Sequence, residues 1–105
     1  MIPPHRIFDQ GKVWTGADGL IQIKDMSDRH RRNVARLLMR ETERILDAIA
    51  WSEFNALREA SEDVVIDWFR EMHEREADPQ KWMASTKLYK RMIKDLPPES
   101  PSGLF

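Results

Sequence analysis

The chain has no cysteine among its 105 residues. This absence excludes disulfides, thiol catalysis and zinc sites built on cysteine. No apolar run approaches membrane-spanning length, and the N-terminus lacks the apolar segment of a signal peptide. The formal net charge is only −1, so the bulk charge is not that of a strong nucleic-acid or membrane-surface binder. We therefore expect a cytoplasmic protein that does not enter a membrane.

The chain does contain enough apolar residues for one core. Hydrophobic residues make up 41% of the sequence, and a chain of this size buries roughly two-thirds of the surface that it exposes when unfolded. We predict a mainly α (α+β) fold, in which an N-terminal β-hairpin is followed by about three amphipathic helices. The predicted domain covers residues 1–96, and residues 97–105 form a proline-rich tail.

The hairpin is predicted over residues about 13–24. The β-prone runs Val13–Thr15 and Leu20–Ile23 flank Gly16, Ala17, Asp18 and Gly19. An Asp-Gly step between two such runs is typical of a hairpin, because glycine adopts the positive φ that tight turns require. The connection is expected to be nearer four residues than two. Since an isolated hairpin is marginally stable, Trp14 is the expected anchor on the rest of the protein.

Three helices are predicted over residues about 27–50, 53–77 and 79–95. Either Ser27 or Asp25 is the candidate N-cap for the first and Ser61 a candidate cap within the second, while Asp78 and Pro79 mark the start of the third. The apolar stripe changes phase at residues 51–54, which favours two helices with a tight joint there. One continuous helix over residues 27–77 stays open as the alternative.

Charge is segregated along the chain. Residues 1–44 contain nine Lys or Arg and six Asp or Glu, residues 53–78 contain nine acids and three arginines, and residues 79–94 contain five bases and no acid. The pattern is basic, acidic, basic. An acidic helix packed between two basic ones explains it structurally. The functional explanation is an acidic face that imitates nucleic acid or binds a basic partner.

No catalytic, cofactor-binding or metal site is predicted, and the protein is not expected to be an enzyme. His30 lies one turn from Asn33 near two aspartates, and His73 lies between Glu71 and Glu74. Both histidines have carboxylates nearby, as a general base or metal ligand would. No nucleophile and no second histidine at metal-binding spacing accompanies them, so a structural or surface role is preferred and their function stays open.

A protein-binding surface is the favoured alternative to an active site. Exposed tryptophan is a common interface anchor and methionine adapts to irregular surfaces, and the chain has four tryptophans and six methionines. One such interaction that the sequence allows is a homodimer formed through the first and third predicted helices. The candidate partner-binding residues are Glu59, Glu62, Asp63, Asp67, Glu71, Glu74, Trp14 and Trp51.

The N-terminal third resembles small accessory proteins encoded by bacteriophages and prophages. The similarity lies in Trp14-Thr15, Asp18-Gly19, Ile21 to Ile23, Asp25-Met26, and His30 with Asn33. The resemblance implies a mobile-element origin and a protein that acts by binding a host machine. The leading hypothesis is a non-enzymatic inhibitor that occludes a host defence complex, in the manner of an anti-CRISPR protein, or a nucleic-acid-processing complex. The host-cell cytoplasm is then the expected location.

The alternative hypothesis is a small nucleic-acid-binding regulator. Arginines on a helix surface contact phosphates, and tryptophans can stack on bases. The first predicted helix supplies the candidate residues Arg29, Arg32, Arg36 and Arg40.

Overall fold

The computed structural model describes residues 4–16 and 19–98. The protein is mainly helical with a small β part, as predicted. Within the described residues there are five α-helices rather than about three. The proposed tail beyond residue 98 lies outside the described part of the chain. The elements are a 3-10 helix Pro4–Asp9, β1 Val13–Gly16, β2 Gly19–Gln22, a 3-10 turn Ile23–Asp25, α1 Asp28–Arg40, α2 Thr42–Ala56, α3 Glu62–Ala77, α4 Pro79–Ser85 and α5 Lys87–Ile93.

The hairpin packs on the helices as expected. Its two strands are antiparallel, with Trp14 opposite Ile21 and Gly16 opposite Gly19. This register leaves two residues in the connection, whereas a connection nearer four residues was expected. Gly19 has a φ of 99°, which L side chains rarely adopt. Trp14 and Ile21 are half-buried against the hydrophobic core, so the tryptophan anchors the hairpin.

The first predicted helix, residues 27–50, is interrupted after α1. Ser27 caps α1, its Oγ accepting a hydrogen bond from the His30 backbone N–H at 3.1 Å. The break at Glu41 coincides with the buried Thr42, whose Oγ1 donates to the Leu38 carbonyl at 2.8 Å and lies 3.0 Å from the Met39 carbonyl. A threonine hydroxyl that bonds back to the preceding turn bends a helix. Helices α1 and α2 are therefore the two parts of one helical segment that is interrupted at Glu41.

The joint predicted at residues 51–54 is wrong. Helix α2 runs through this segment to Ala56, and the chain turns at residues 57–61 before α3 begins after the N-cap position Ser61. The phase change in the apolar pattern has a different cause. Trp51 and Phe54 are exposed, so they belong to a second apolar face of the same helix and do not signal its end.

The third predicted helix, residues 79–95, is two short helices. Asp78 caps α4 through its Oδ1, which accepts from the Lys81 backbone N–H at 3.2 Å, and Pro79 is the first helical residue, as predicted. Thr86 ends α4 and caps α5, since its Oγ1 accepts from the Tyr89 N–H at 3.2 Å. The hydroxyl of Thr86 thus supplies a second helix start that the apolar stripe conceals.

The core lies between α1, α4, α5, the N-terminal 3-10 helix and the first half of α2. Arg31 is buried at its edge, where its guanidinium donates to the Lys94 carbonyl at 2.8 Å and to Asp28 Oδ1 at 2.8 Å. This contact supplies a donor to the free carbonyls at the end of α5. The buried apolar side chains of the cluster are Phe8, Ile23, Met26, Val34, Ala35, Leu38, Ile49, Met83, Leu88 and Met92.

The far end of the α2–α3 hairpin stands apart from this core. No residue from Ala50 to Glu71 is buried, and we call residues 50–71 the distal arm. The molecule measures 54 × 29 × 20 Å, with a radius of gyration of 15.8 Å. A compact chain of about this length has a radius near 13 Å. The protein is thus elongated, with a packed body and a projecting arm.

Among the described residues, every helix is too short or too polar to cross a lipid bilayer.

Candidate interaction surface on the distal arm

Helices α2 and α3 form an antiparallel hairpin, and two side-chain contacts between them show how they pack. The rings of Phe54 and Trp68 lie 5.8 Å apart between centroids. Nearer the body, Arg75 Nη1 donates to Glu53 Oε1 at 2.9 Å, and the same guanidinium lies 5.9 Å from the Trp82 ring centre. Arg75 therefore connects α3 both to α2 and to α4. These contacts fix the direction in which the arm leaves the body.

An aromatic face covers one side of the arm. Trp51 is 69% exposed, Phe54 52%, Phe69 56% and Ile66 48%. Trp51 and Phe54 are neighbours on α2 because they are three residues apart, and Ile66 and Phe69 are neighbours on α3 for the same reason. Trp68 joins the two pairs, since its ring contacts Phe54 and lies 4.9 Å from Phe69. We call Trp51, Phe54, Ile66 and Phe69 the aromatic face.

The beginning of α3 is apolar on most of its circumference. Residues 64–69 read Val-Val-Ile-Asp-Trp-Phe, and at 100° a residue they point to several sides of the helix. In the described part of the chain α2 packs against this segment, and Val64 and Ile66, 200° apart, are both about half exposed. A helix that is apolar all round is normally buried. This segment therefore carries more apolar surface than α2 covers.

Trp68 carries a buried polar group without a partner. Its indole Nε1–H is inaccessible to solvent and finds no acceptor within the described part of the chain. A buried donor of this kind costs about 1–3 kcal/mol. The arm therefore packs its central tryptophan imperfectly, unlike the body.

Acidic side chains form a separate stripe on the outer side of α3. Val65, Trp68, Met72 and Arg75 face α2. Most of the stripe occupies the side turned away from them, and Glu71 lies at its edge, where its Oε2 is 3.8 Å from Arg75 Nη2. Its members recur at intervals of three or four residues over about 16 Å of helix. Arg70 is next to the stripe, with Nη1 3.6 Å from Asp67 Oδ1. The acidic stripe consists of Asp63, Asp67, Glu71 and Glu74.

The structure separates the residues predicted as one partner-binding set. Glu59 lies in the turn between α2 and α3, and Glu62 is the first residue of α3, so both are at the tip of the arm. Trp51 belongs to the aromatic face. Trp14 is on β1 and packs against the core of the body. The predicted set thus divides among the acidic stripe, the tip, the aromatic face and the hairpin.

The arginines proposed for nucleic-acid binding share one side of α1. Arg29, Arg32, Arg36 and Arg40 follow one another at three or four residues, which places them within one stripe of the helix. They differ in the contacts that their guanidinium groups make within the protein. Arg32 donates to the Pro97 carbonyl, Arg36 also has a partner, and Arg40 Nε lies 3.5 Å from Glu41 Oε1. We call these four residues the arginine stripe.

The two histidines discussed as general bases are on the surface. His30 is exposed in the first turn of α1, and His73 is exposed on α3. Within residues 4–16 and 19–98, no group of three His, Asp or Glu side chains is arranged to hold a metal ion. The exposed position of each histidine is that of an ordinary surface residue.

Phe54, Ile66 and Phe69 are exposed residues that were not among the predicted surface positions. Two signals in the sequence point to them. Trp51 and Phe54 lie out of phase with the core positions Leu46 and Ile49 of the same helix. The run from residue 64 to 69 has more apolar residues than one neighbouring helix can cover.

Comparisons of the chain with family models, with curated proteins and with solved structures find no match.

Proposed function

We propose that the protein is a non-enzymatic interaction module that binds another protein through its distal arm. The observation that carries the proposal is the arm itself. It projects from the core, contains no buried residue and exposes five large apolar side chains, among them Trp51, Phe54 and Phe69. A patch of exposed aromatic side chains of this kind on a folded protein marks an interaction site.

The charge of the hairpin supports a basic partner surface. Residues 42–77 contain ten acids and four arginines, a net charge of −6, whereas the whole chain has a net charge of −1. The remaining residues therefore carry +5. On the outer side of α3 the acidic stripe presents carboxylates in a row, as a nucleic-acid backbone presents phosphates. Such a row attracts and orients a basic surface.

A nucleic-acid-processing complex, including a host defence complex of the kind that anti-CRISPR proteins inhibit, is the partner class we propose. Such complexes present basic channels to nucleic acid, and an acidic helix of this length can occupy one. The resemblance of the N-terminal third to phage and prophage accessory proteins agrees with this class. The mode of action is occlusion of the basic surface.

Affinity capture of partners from a host lysate tests the proposal. The protein bearing the triple substitution Glu62→Lys, Asp67→Lys and Glu71→Lys is compared with the unmodified chain. We expect the captured partner to be lost, because the charge of the outer side of α3 is reversed. Reversal of the exposed acids Asp9 and Asp25 on the body is the control. Capture that survives the α3 substitutions contradicts a role for the acidic stripe.

A second candidate function is nucleic-acid binding by the arginine stripe. The alignment of four arginines on one side of α1 favours it. Phosphate contacts by arginine weaken as salt is added. We expect a salt-dependent mobility shift that is lost in the Arg29→Ala, Arg36→Ala double variant, while Arg44→Ala on α2 leaves the shift in place. No shift at low salt eliminates this candidate.

A further inference from the structure

We propose that the aromatic face is covered by a second copy of this chain, packed antiparallel to the first along α2. The inference rests on the proposed function, since it takes the arm to be a protein-binding element, and it names what occupies one of its faces. The acidic stripe, on another side of the arm, stays available for a different partner. The functional unit is then a symmetric dimer with two acidic stripes.

The exposed side of α2 has a self-complementary sequence. Arg44, Asp47, Trp51, Phe54 and Arg58 are all exposed, and they follow each other at intervals of three, four, three and four residues. That spacing is the heptad pattern of helices that pair along a seam. The last position, Arg58, lies in the turn just after α2 ends.

An antiparallel two-fold arrangement matches this pattern residue by residue. In a symmetric interface every contact occurs twice: if one residue of the first copy contacts another residue of the second copy, the same two residues also meet with the copies exchanged. With the axis midway between positions 52 and 53, Trp51 meets Phe54 of the second copy. At the same time Asp47 meets Arg58 of the second copy. Both pairs occur twice, so two aromatic contacts are flanked by two opposite-charge contacts.

The parallel arrangement lacks this complementarity. Each residue then faces its own equivalent, so that Asp47 opposes Asp47 and Arg58 opposes Arg58. Like charges placed opposite each other are destabilising. The order of charges along the exposed side of α2 therefore selects the antiparallel orientation.

The exposed apolar area is that of a stable dimer. A standard interface buries about 800 Å² on each partner, and about 65% of a homodimer interface is apolar, which corresponds to roughly 500 Å². An aromatic side chain has a surface of about 200 Å². Multiplied by the exposed fractions of Trp51, Phe54 and Phe69, this gives roughly 350 Å² of exposed aromatic surface. Ile66 and the flanking side chains add to this area. The aromatic face alone thus supplies most of what a dimer needs.

The net negative charge of the hairpin is compatible with self-association. Asp63, Asp67 and Glu74 lie on the side of α3 turned away from α2, and Glu71 pairs with Arg75, so the acidic stripe is outside the aromatic interface. Pairing two helical hairpins places these stripes farther apart than the Debye length of about 8 Å at physiological ionic strength. Their mutual repulsion is consequently weak, while the two Asp47–Arg58 pairs are in direct contact.

The oligomeric state is measured first, by sedimentation equilibrium up to ~100 µM. We expect the mass to approach about 25 kDa, twice the 12.4 kDa of the chain. Trp51→Glu should weaken the dimer at least 100-fold, because it places a carboxylate at the centre of an apolar interface. Ala56→Glu adds the same charge at an exposed position on the opposite side of the same helix, and it should leave the mass unchanged. Circular dichroism establishes that both variants are folded.

Charge exchange then tests the antiparallel register. Asp47→Arg and Arg58→Asp each place like charges across both ends of the interface, so each variant alone should dimerise about tenfold less tightly. Mixing the two variants should restore the affinity as a one-to-one heterodimer, since every charge then faces an opposite charge. This rescue in trans is expected only where Asp47 of one copy faces Arg58 of the other.

Each outcome decides the inference. A monomer at ~100 µM, or a dimer that Trp51→Glu does not weaken, overturns it. A dimer sensitive to Trp51→Glu but without rescue in the mixture overturns the antiparallel register. Failure of the proposed function has a different signature, in which the dimer forms and the rescue occurs but no partner depends on the acidic stripe. Conversely, capture by a monomeric protein leaves the proposed function standing without the dimer.

Discussion

The body and the distal arm are built from the same kinds of residues and differ in what covers them. In the body, Leu38, Met83 and Leu88 are almost completely buried between three or more elements. In the arm, Trp51, Phe54 and Phe69 are as apolar but have at most one neighbouring helix. Apolar content in a helix therefore does not by itself make a core. It makes a core only where enough other elements converge on it.

The two regions also differ in how their polar groups are satisfied. Arg31, buried at the edge of the body, donates to carbonyls at the end of α5 and to Asp28. The Trp68 indole N–H in the arm is buried with no acceptor in the described residues. Since satisfied buried groups stabilise a unique packing, the body is specified more tightly than the arm. Substitutions in the two regions should therefore have unequal effects on folding.

The largest effect is expected from truncating a core leucine. Leu88→Ala should lower the free energy of unfolding by about 3 kcal/mol, because a fully buried leucine leaves a cavity when it is shortened. Phe69→Ala removes a larger side chain but one that is half exposed, and should cost only about 1 kcal/mol. Urea denaturation at low protein concentration, where the monomer dominates, measures both. Equal losses would remove the distinction between body and arm.

The next effect concerns the buried arginine. Arg31→Ala should destabilise the protein by about 2 kcal/mol, since hydrogen bonds from a charged group are lost and carbonyls at the end of α5 lose their donor. Arg29→Ala, on the exposed side of the same helix, should change stability by less than about 0.5 kcal/mol. Thermal unfolding of the two variants provides the comparison. A loss for Arg29→Ala as large as for Arg31→Ala would contradict the capping role.

A smaller effect is expected where the arm joins the body. Glu53→Gln should cost about 1 kcal/mol or less, because it removes the ion pair with Arg75 while a weaker hydrogen bond can remain. The difference from the unmodified protein should shrink at high salt, since ionic screening weakens the pair. Stability curves at low and high salt measure this. A cost that does not depend on salt would argue that the contact acts by packing alone.

The smallest effect is expected at the centre of the arm. Trp68→Phe removes the unsatisfied indole N–H together with part of the ring, and the two contributions should nearly cancel, within about 0.5 kcal/mol. Trp82→Phe is the matched change in the body, where the ring packs on Phe8 at 5.7 Å. Trp82→Phe should lower the free energy of unfolding more than Trp68→Phe does, because it does not remove a buried polar group that lacks a partner. The same denaturation assay distinguishes them, and an equal loss at both positions would refute the reasoning.

The parts of the fold that the sequence predicted correctly rest on local signals. Ser27, Asp78 and Pro79 mark helix starts because their side chains or rings act within one turn. Gly19 marks the hairpin because its own backbone adopts a positive φ. The bend at Thr42 and the new start at Thr86 depend on hydroxyls that bond to nearby backbone groups. Threonine at such positions can equally be an ordinary helix or core residue, so the sequence did not reveal these interruptions.

The candidate site was only partly predictable for a different reason. Acidic residues such as Asp67 and Glu71 are recognisable as a surface from charge alone. The exposure of Phe54 and Phe69 depends on which elements pack around the hairpin, and a one-dimensional pattern does not contain that information. The apolar phase change at residues 51–54 was correctly detected but was interpreted as a helix end when it marked a second face.

Helix α2 spans both regions, which has a consequence for local unfolding. Its first half contains the buried Leu46 and Ile49, and its second half contains the exposed Trp51 and Phe54. Amide hydrogens in the first half should exchange only when the whole domain opens, whereas those in the second half should exchange through fraying of the arm. A gradient of protection along one helix follows. Any molecule that covers the arm should raise protection in the second half, because fraying of the arm then also requires release of that molecule.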